Sequence, residues 1–175
     1  MNKKNKKIIL WKPNPKTKKY SHLSKFIDYI NEDLNTKILY NFNSIWKWSL
    51  EYPGEFWNKV WDYSEIVGYK GLRLLINPNL MPGAKFFPDS SLNYAENLLF
   101  KPDDTLAIIS NREDGKQETL TRSELRIKVM LMAGWLRDKG IKKGDRVAAY
   151  MPNCPETVIT MLATASLGAI FSSCS

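Results

Sequence analysis

The sequence predicts an α/β protein: a helical, tryptophan-rich N-terminal extension followed by the truncated start of a larger α/β domain. Three observations carry this. Residues 144–175 read as strand, crossover helix and second strand. Apolar residues between 22 and 61 recur at helical spacing, with four of the six tryptophans between Trp46 and Trp61. A parallel βαβ unit is normally flanked by further strands and covered on both faces. Nothing after Ser175 supplies that cover, so the chain is expected to be the N-terminal piece of a longer protein.

The chain begins basic. Residues 1–25 hold nine Lys and no acid, whereas the other 17 basic residues face 18 acids. The net charge of +8 is therefore a property of the front of the chain, and residues 1–21 are expected to form a solvated, flexible tail. Ile8 to Trp11 is too short an apolar run for a secretory signal, and Thr157 to Phe171 is too short and too rich in Thr for a bilayer span. Neither nucleic acid nor membrane is an expected partner. Cys154 and Cys174, just beyond the ends of the paired strands, read as reduced and largely buried, in keeping with a cytoplasmic location. His22 is the sole histidine, which rules out a His-based triad or multi-His metal site built from this chain alone.

After Lys12-Pro13-Asn14-Pro15, which breaks regular structure, Leu23, Phe26, Ile27, Ile30 and Leu34 mark an amphipathic helix. Asn43-Ser44 is expected to cap a second helix carrying Ile45 and Trp48. Pro53-Gly54 separates it from a third with Phe56, Trp57, Val60 and Trp61. The tryptophans could stack bases, with Lys47 and Lys59 interleaved, but helical spacing points to core or interdomain packing. Periodicity fades between Gly68 and Asn97, where Asn77-Pro78, Met81-Pro82-Gly83 and Phe87-Pro88-Asp89 predict an irregular connection.

The α/β part opens with a strand over Thr105 to Ser110, a hairpin turn at Asp114-Gly115 and a partner strand over Gln117 to Leu120. Thr121-Arg122-Ser123-Glu124 is a capping box. The helix behind it places Leu125, Val129, Met132, Ala133 and Leu136 on one face and stops at Gly140. Val147 to Met151 is the next strand; Pro155 opens the crossover helix, Gly168 closes it, and Ala169 to Phe171 begins the last strand.

The usual chemistry is missing. There is no Gly-x-Gly, no phosphate-loop spacing and no Ser/Thr/Gly-rich loop, and Gly140 to Gly144 only looks like one. Asp103 and Asp104 beside Pro102 read as a turn and not as an acid/base pair.

The run Thr121-x-x-Glu124-Leu125, then Gly140-Ile141-Lys142-Lys143-Gly144-Asp145-Arg146-Val147-Ala148-Ala149-Tyr150-Met151-Pro152-Asn153, resembles the start of the AMP-binding domain of adenylate-forming acyl-CoA synthetases. Phe56-Trp57, Met81 to Pro88 and Leu92 to Leu99 are similar to the N-terminal extension of the short-chain branch. The resemblance divides the chain into a tail over 1–21, the extension over 22–100 and the truncated start of the AMP-binding domain over 101–175. It implies a ligase acting on a short 3-oxo acid, acetoacetate, with ATP, CoA and Mg²⁺, in fatty-acid and ketone-body metabolism. Every family residue that grips these lies beyond Ser175, so no catalytic, cofactor-binding or metal-binding residue is assigned here. The rest of its own chain is the implied partner. Residues 1–175 alone are expected to be inactive and poorly soluble. The alternatives are another short-chain acyl-CoA synthetase, a non-catalytic interaction module, or nucleic-acid binding through the tail and tryptophans.

Overall fold

In a computed structural model the described residues are 10–174, and they form two compact units. The first comprises residues up to Ile66 together with Gly71–Asp89; the second comprises Val67–Lys70 and the chain from Ser90 on. The first nine residues of the expected tail lie outside the described residues.

The first unit is helical: α1 (Pro15–Lys19), α2 (His22–Leu34), α3 (Phe42–Glu51) and α4 (Pro53–Tyr63), followed by a small antiparallel pair, β1 (Leu75–Ile76) with β2 (Lys85–Phe86). Asn14 caps α1 by accepting from the Thr17 N–H at 2.8 Å, with Pro15 at the first helical position, where a missing N–H costs nothing. The proline-rich stretch thus starts a helix as well as breaking one. Asn41, not Asn43-Ser44, caps α3. Its Oδ1 accepts from the Ser44 N–H at 2.9 Å, so Ser44 is the third helical residue and a donor.

The tryptophans meet the expectation of core packing in part: Trp48 packs against the buried cluster of this unit, but the cluster itself is aliphatic. Ile27 and Ile30 have no exposed surface and Ile45 only 4%, whereas Trp46 is 49% exposed and Trp57 42%. The aromatic rings form a chain around the isoleucines: Phe26 meets Phe56 and Tyr63, Phe56 meets Trp48 and Trp57, and Trp57 reaches Phe86. The reason is size: a short helical layer encloses β-branched aliphatics fully but leaves one edge of a large indole in water.

The second unit holds α5 (Tyr94–Leu98), β3 (Leu106–Asn111), β4 (Gln117–Thr121), α6 (Arg122–Asp138), β5 (Arg146–Tyr150), α7 (Pro155–Ser166) and β6 (Ile170–Cys174). β3 and β4 pair antiparallel with Asn111 opposite Gln117, so the connection is the five-residue loop 112–116, with Gly115 at φ +79°. The capping box is present in full: Thr121 Oγ1 accepts from the Glu124 N–H at 3.1 Å and Glu124 accepts from the Thr121 N–H at 2.8 Å. Leu125, Val129, Ala133 and Leu136 of α6 pack against Ile159, Leu162 and Ala163 of α7 and against Ala95 and Leu120. β5 and β6 run parallel with Arg146 opposite Ile170 and Tyr150 opposite Cys174. This is the mixed helix-and-strand architecture expected, with the crossover in place. No helix of the described residues is long and apolar enough to cross a membrane.

Candidate functional site

In parallel sheets ligands bind outside the carboxyl ends of the strands, which here means Tyr150, Met151 and Cys174 with the start of α7. The alternation of β5 turns Ala149 inward, 9% exposed, and Tyr150 outward, 85% exposed. The ladder runs to the end of the pair, with the Met151 N–H donating to the Cys174 carbonyl at 3.1 Å. Cys174 closes β6 and is exposed, and Cys154 is half-buried at the N-cap of α7; both are free thiols. The expectation of largely buried cysteines therefore fails for Cys174, because a strand's last residue on the open side of a two-stranded sheet has nothing above it.

The start of α7 is occupied by the protein's own groups. Thr157 Oγ1 donates to the Pro152 carbonyl at 2.8 Å and lies 3.5 Å from Cys154 Sγ. The Glu156 carboxyl is held below its usual range by its own backbone N–H first and then by Cys154, against the cost of burial, with Lys128 and Arg112 adding lesser attraction. With Pro155 lacking an N–H and Glu156 already taking the helix's partial positive charge, this terminus offers little to a phosphate. Beside it a recess of about 490 Å³ is lined by Asn111 at the end of β3, by Arg112, Glu113 and Asp114 of the hairpin loop, and by Pro152, Asn153 and Cys154. Arg112, its one basic lining residue, lies 3.5 Å from Asp114, which also stands 3.9 Å from Lys116, so among the described residues the recess offers an anion no unpaired cation.

Other groups weighed in the sequence are also absorbed. Asp103 accepts from the Thr105 N–H at 3.0 Å and from its hydroxyl at 2.5 Å, which holds its carboxyl below the usual range and makes it a turn former. Between Gly140 and Gly144 four N–H groups are spent within the protein: Gly140 on Arg137, Ile141 on Leu136, Lys142 on Asp145 and Gly144 on Gly168. His22 is the exposed first residue of α2. Among the described residues no three His, Cys, Asp or Glu side chains gather as a metal site.

Sequence reasoning passed over α5. Asn93 caps it, accepting from the Glu96 N–H at 3.1 Å, and its Nδ2 donates to the carbonyls of Ala165 at 2.9 Å and Ser166 at 3.3 Å in the last turn of α7. Asn97 brackets Val67, accepting from its N–H at 2.8 Å and donating to its carbonyl at 2.9 Å. The signal was there to read: Asn93-x-x-Glu96 has the spacing that marks Thr121-x-x-Glu124.

Residues 42–98 match the family described as the acetyl-coenzyme A synthetase N-terminus, and residues 96–175 match the AMP-binding enzyme family. The chain is 42% identical over 166 residues to an acetoacetyl-coenzyme A synthetase of Rhizobium meliloti, covering 95% of this chain and 25% of that protein. It is 43% identical over 172 residues to the acetoacetyl-CoA synthetase of Xenopus tropicalis, with the same shares covered. The solved acetoacetyl-CoA synthetase from Streptomyces lividans superposes with a TM-score of 0.83 at 30% identity, covering 94% of this chain and 26% of that one. The chain spans about a quarter of the length of these relatives.

Proposed function

We propose, from the premise that the chain belongs to the AMP-binding enzyme family by its likeness to acetoacetyl-CoA synthetases along 95% of its length, that it forms the N-terminal quarter of an ATP-dependent acetoacetate–CoA ligase. The observation that carries this reading is the 42% identity to a relative of that name, running through both units. The reaction proposed for the whole protein has two steps. The acetoacetate carboxylate attacks the α-phosphorus of ATP and diphosphate leaves; the CoA thiol then attacks the acyl carbon and AMP leaves. Adenylation supplies a good leaving group to a carboxylate that lacks one.

Residues 10–174 do not fit the phosphates or a Mg²⁺ ion: the start of α7 is taken by Glu156, and no carboxylate cluster stands near it. ATP, CoA, Mg²⁺ and the acetoacetate pocket are therefore assigned to the remainder of the polypeptide, and no step is routed through the residues described. The part played by this segment is mechanical. Val147 of β5 packs against the α6–α7 cluster and Ala149 is buried, and the β5–β6 pair presents Tyr150 and Cys174 at the carboxyl end, where a nucleotide lies in folds of this kind. The reading carries with it a cytoplasmic location and a role in fatty-acid and ketone-body carbon use.

The test is ATP–diphosphate exchange by the full-length product with acetoacetate, acetate and propionate in turn. Exchange strongest with acetoacetate is expected; a preference for acetate or propionate overturns the substrate, and exchange with none overturns the activity. Residues 1–175 alone are expected to give no exchange.

A further inference from the structure

We infer that Asn93 is a positioning residue of the proposed ligase: its one carboxamide caps α5 and grips the last turn of α7, and so fixes where β6 begins.

The last carbonyls of a helix have no partner within it. In α7 two of them, Ala165 and Ser166, are taken by Asn93 Nδ2, from 72 and 73 residues away in sequence. The Ala165 carbonyl also accepts from the Gly168 N–H at 3.0 Å, so the same oxygen anchors the turn that follows. That turn is short and specific. Gly168 sits at φ +69°, the Ala169 N–H donates to Thr164 at 3.1 Å, and the Ile170 N–H donates to Asp145 at 2.8 Å, which sets the register of β6 on β5. The grip is itself held in place: Ala95, two residues on, has no exposed surface, and Asn97 Nδ2 donates to the Asn93 carbonyl at 2.9 Å while bracketing Val67. The last three residues of α5 form the stretch 96–98 that the two family matches share. Asn93 is thus the polar link from the end of the extension to the strand whose carboxyl end faces the proposed nucleotide position.

The two halves of the carboxamide separate the two roles. Asn93→Asp keeps an oxygen for the Glu96 N–H and places an acid where a helix start favours one, but it loses the donor and sets a carboxylate against two carbonyls. Asn93→Ser keeps a neutral cap and loses the reach. A matched control is Leu120→Ala, a core change on β4, 4% exposed in the native protein, that lowers stability at a residue outside the pocket lined by Asn93 and Ser166.

This inference rests on the ligase reading, so the experiment has two arms on the full-length protein. In hydrogen exchange, Asn93→Asp and Asn93→Ser are expected to speed the amides of Leu167, Gly168 and Ala169 by about three- to tenfold, the net scale of a lost hydrogen-bond donor, while Leu120→Ala at equal melting temperature does not. In kinetics, KM for ATP is expected to rise by about three- to tenfold with kcat within about twofold, again unlike Leu120→Ala. Unchanged exchange in both Asn93 variants overturns the link, whatever the enzyme does. Faster exchange with KM for ATP unchanged overturns the positioning role. A wild-type protein inactive with every acid overturns the ligase reading and leaves exchange to decide the link; if Asn93→Asp does not fold, Asn93→Ser decides both arms.

Discussion

Lys59 of α4 donates to Asp33 of α2 across 26 residues of sequence, with the lysine side chain 9% exposed and the aspartate 45%. The ammonium also lies 6.0 Å above the Tyr29 ring. The pair joins the two helices beside the isoleucine core, and its ends are unequal: the cation is buried and the anion is half in water. Removing the anion strands a buried charge, whereas replacing the cation by an apolar chain of similar volume does not. Asp33→Asn is expected to cost about 1–2 kcal/mol after discounting for solvent around the aspartate, and Lys59→Met close to nothing. The hydrogen bond to Asp33, aided by Coulomb attraction and opposed by burial, raises the Lys59 pKa. A raised lysine contributes its full stabilisation below the ordinary value of about 10.4 and loses it as pH climbs through the raised one. The Asp33→Asn deficit should therefore be equal at pH 6 and pH 9 and shrink only in strong alkali, measured by hydrogen exchange of α2 amides at neutral pH and urea unfolding across the range.

The aromatic shell makes a second contrast measurable. Ile30 is fully enclosed, and Trp46 is half in water. Ile30→Ala is expected to cost about 2–5 kcal/mol, the range for a large-to-small change in a packed core. Trp46→Ala should cost well under half of that, despite removing the larger side chain. Parallel urea titrations of the two variants decide it, and an equal loss would mean that the indole carries the layer.

Legibility followed the range of the interactions. The hairpin and the Thr121-x-x-Glu124 box are local patterns, the βαβ unit is a run of three locally patterned elements whose strands pair 24 residues apart, Arg146 with Ile170, and all stand where periodicity and capping spacing place them. The helices of the first unit were legible as helices, but which residues of α3 and α4 fill the core was not. Burial depends on how many neighbours the layer can muster, and composition alone does not give that. The two-residue strands β1 and β2 are too short to show an alternation, and the five-residue α5 is too short to show an apolar stripe, so its cap spacing is its one sequence signal. The Asn93 link joins positions 72 apart and leaves only its local half, the cap, in the sequence.

The capping box at the start of α6 predicts a graded series. Thr121 Oγ1 satisfies one of the helix's free N–H groups, and α6 supplies four buried residues to the main cluster, so its first turn is tied to the core. Thr121→Ala is expected to cost about 1 kcal/mol and Thr121→Ser only a few tenths. The readout is exchange of the amides of Ser123 to Leu125, which should quicken in the alanine variant and stay near native in the serine one.

Glu156 gives the protein an acid-side signature. Its carboxyl is held below the ordinary range, chiefly by its own N–H at the start of α7, then by Cys154, with Lys128 and Arg112 contributing. A carboxyl lowered in the folded state stabilises above its ordinary value of about 4.3, and that stabilisation is lost as pH falls through the lowered value. The native protein should therefore lose stability at α7 on descending from about pH 5 toward pH 3. Glu156→Gln has no proton to take up, so its profile should be flatter over the same window and lower at pH 7. Unfolding midpoints of the two proteins measured across pH 3 to 7 will show curves that converge at the acid end if the carboxylate holds the helix start; parallel curves would assign the acid dependence to other carboxyls, with Asp103 and Asp89, both lowered by their own partners, the first to examine.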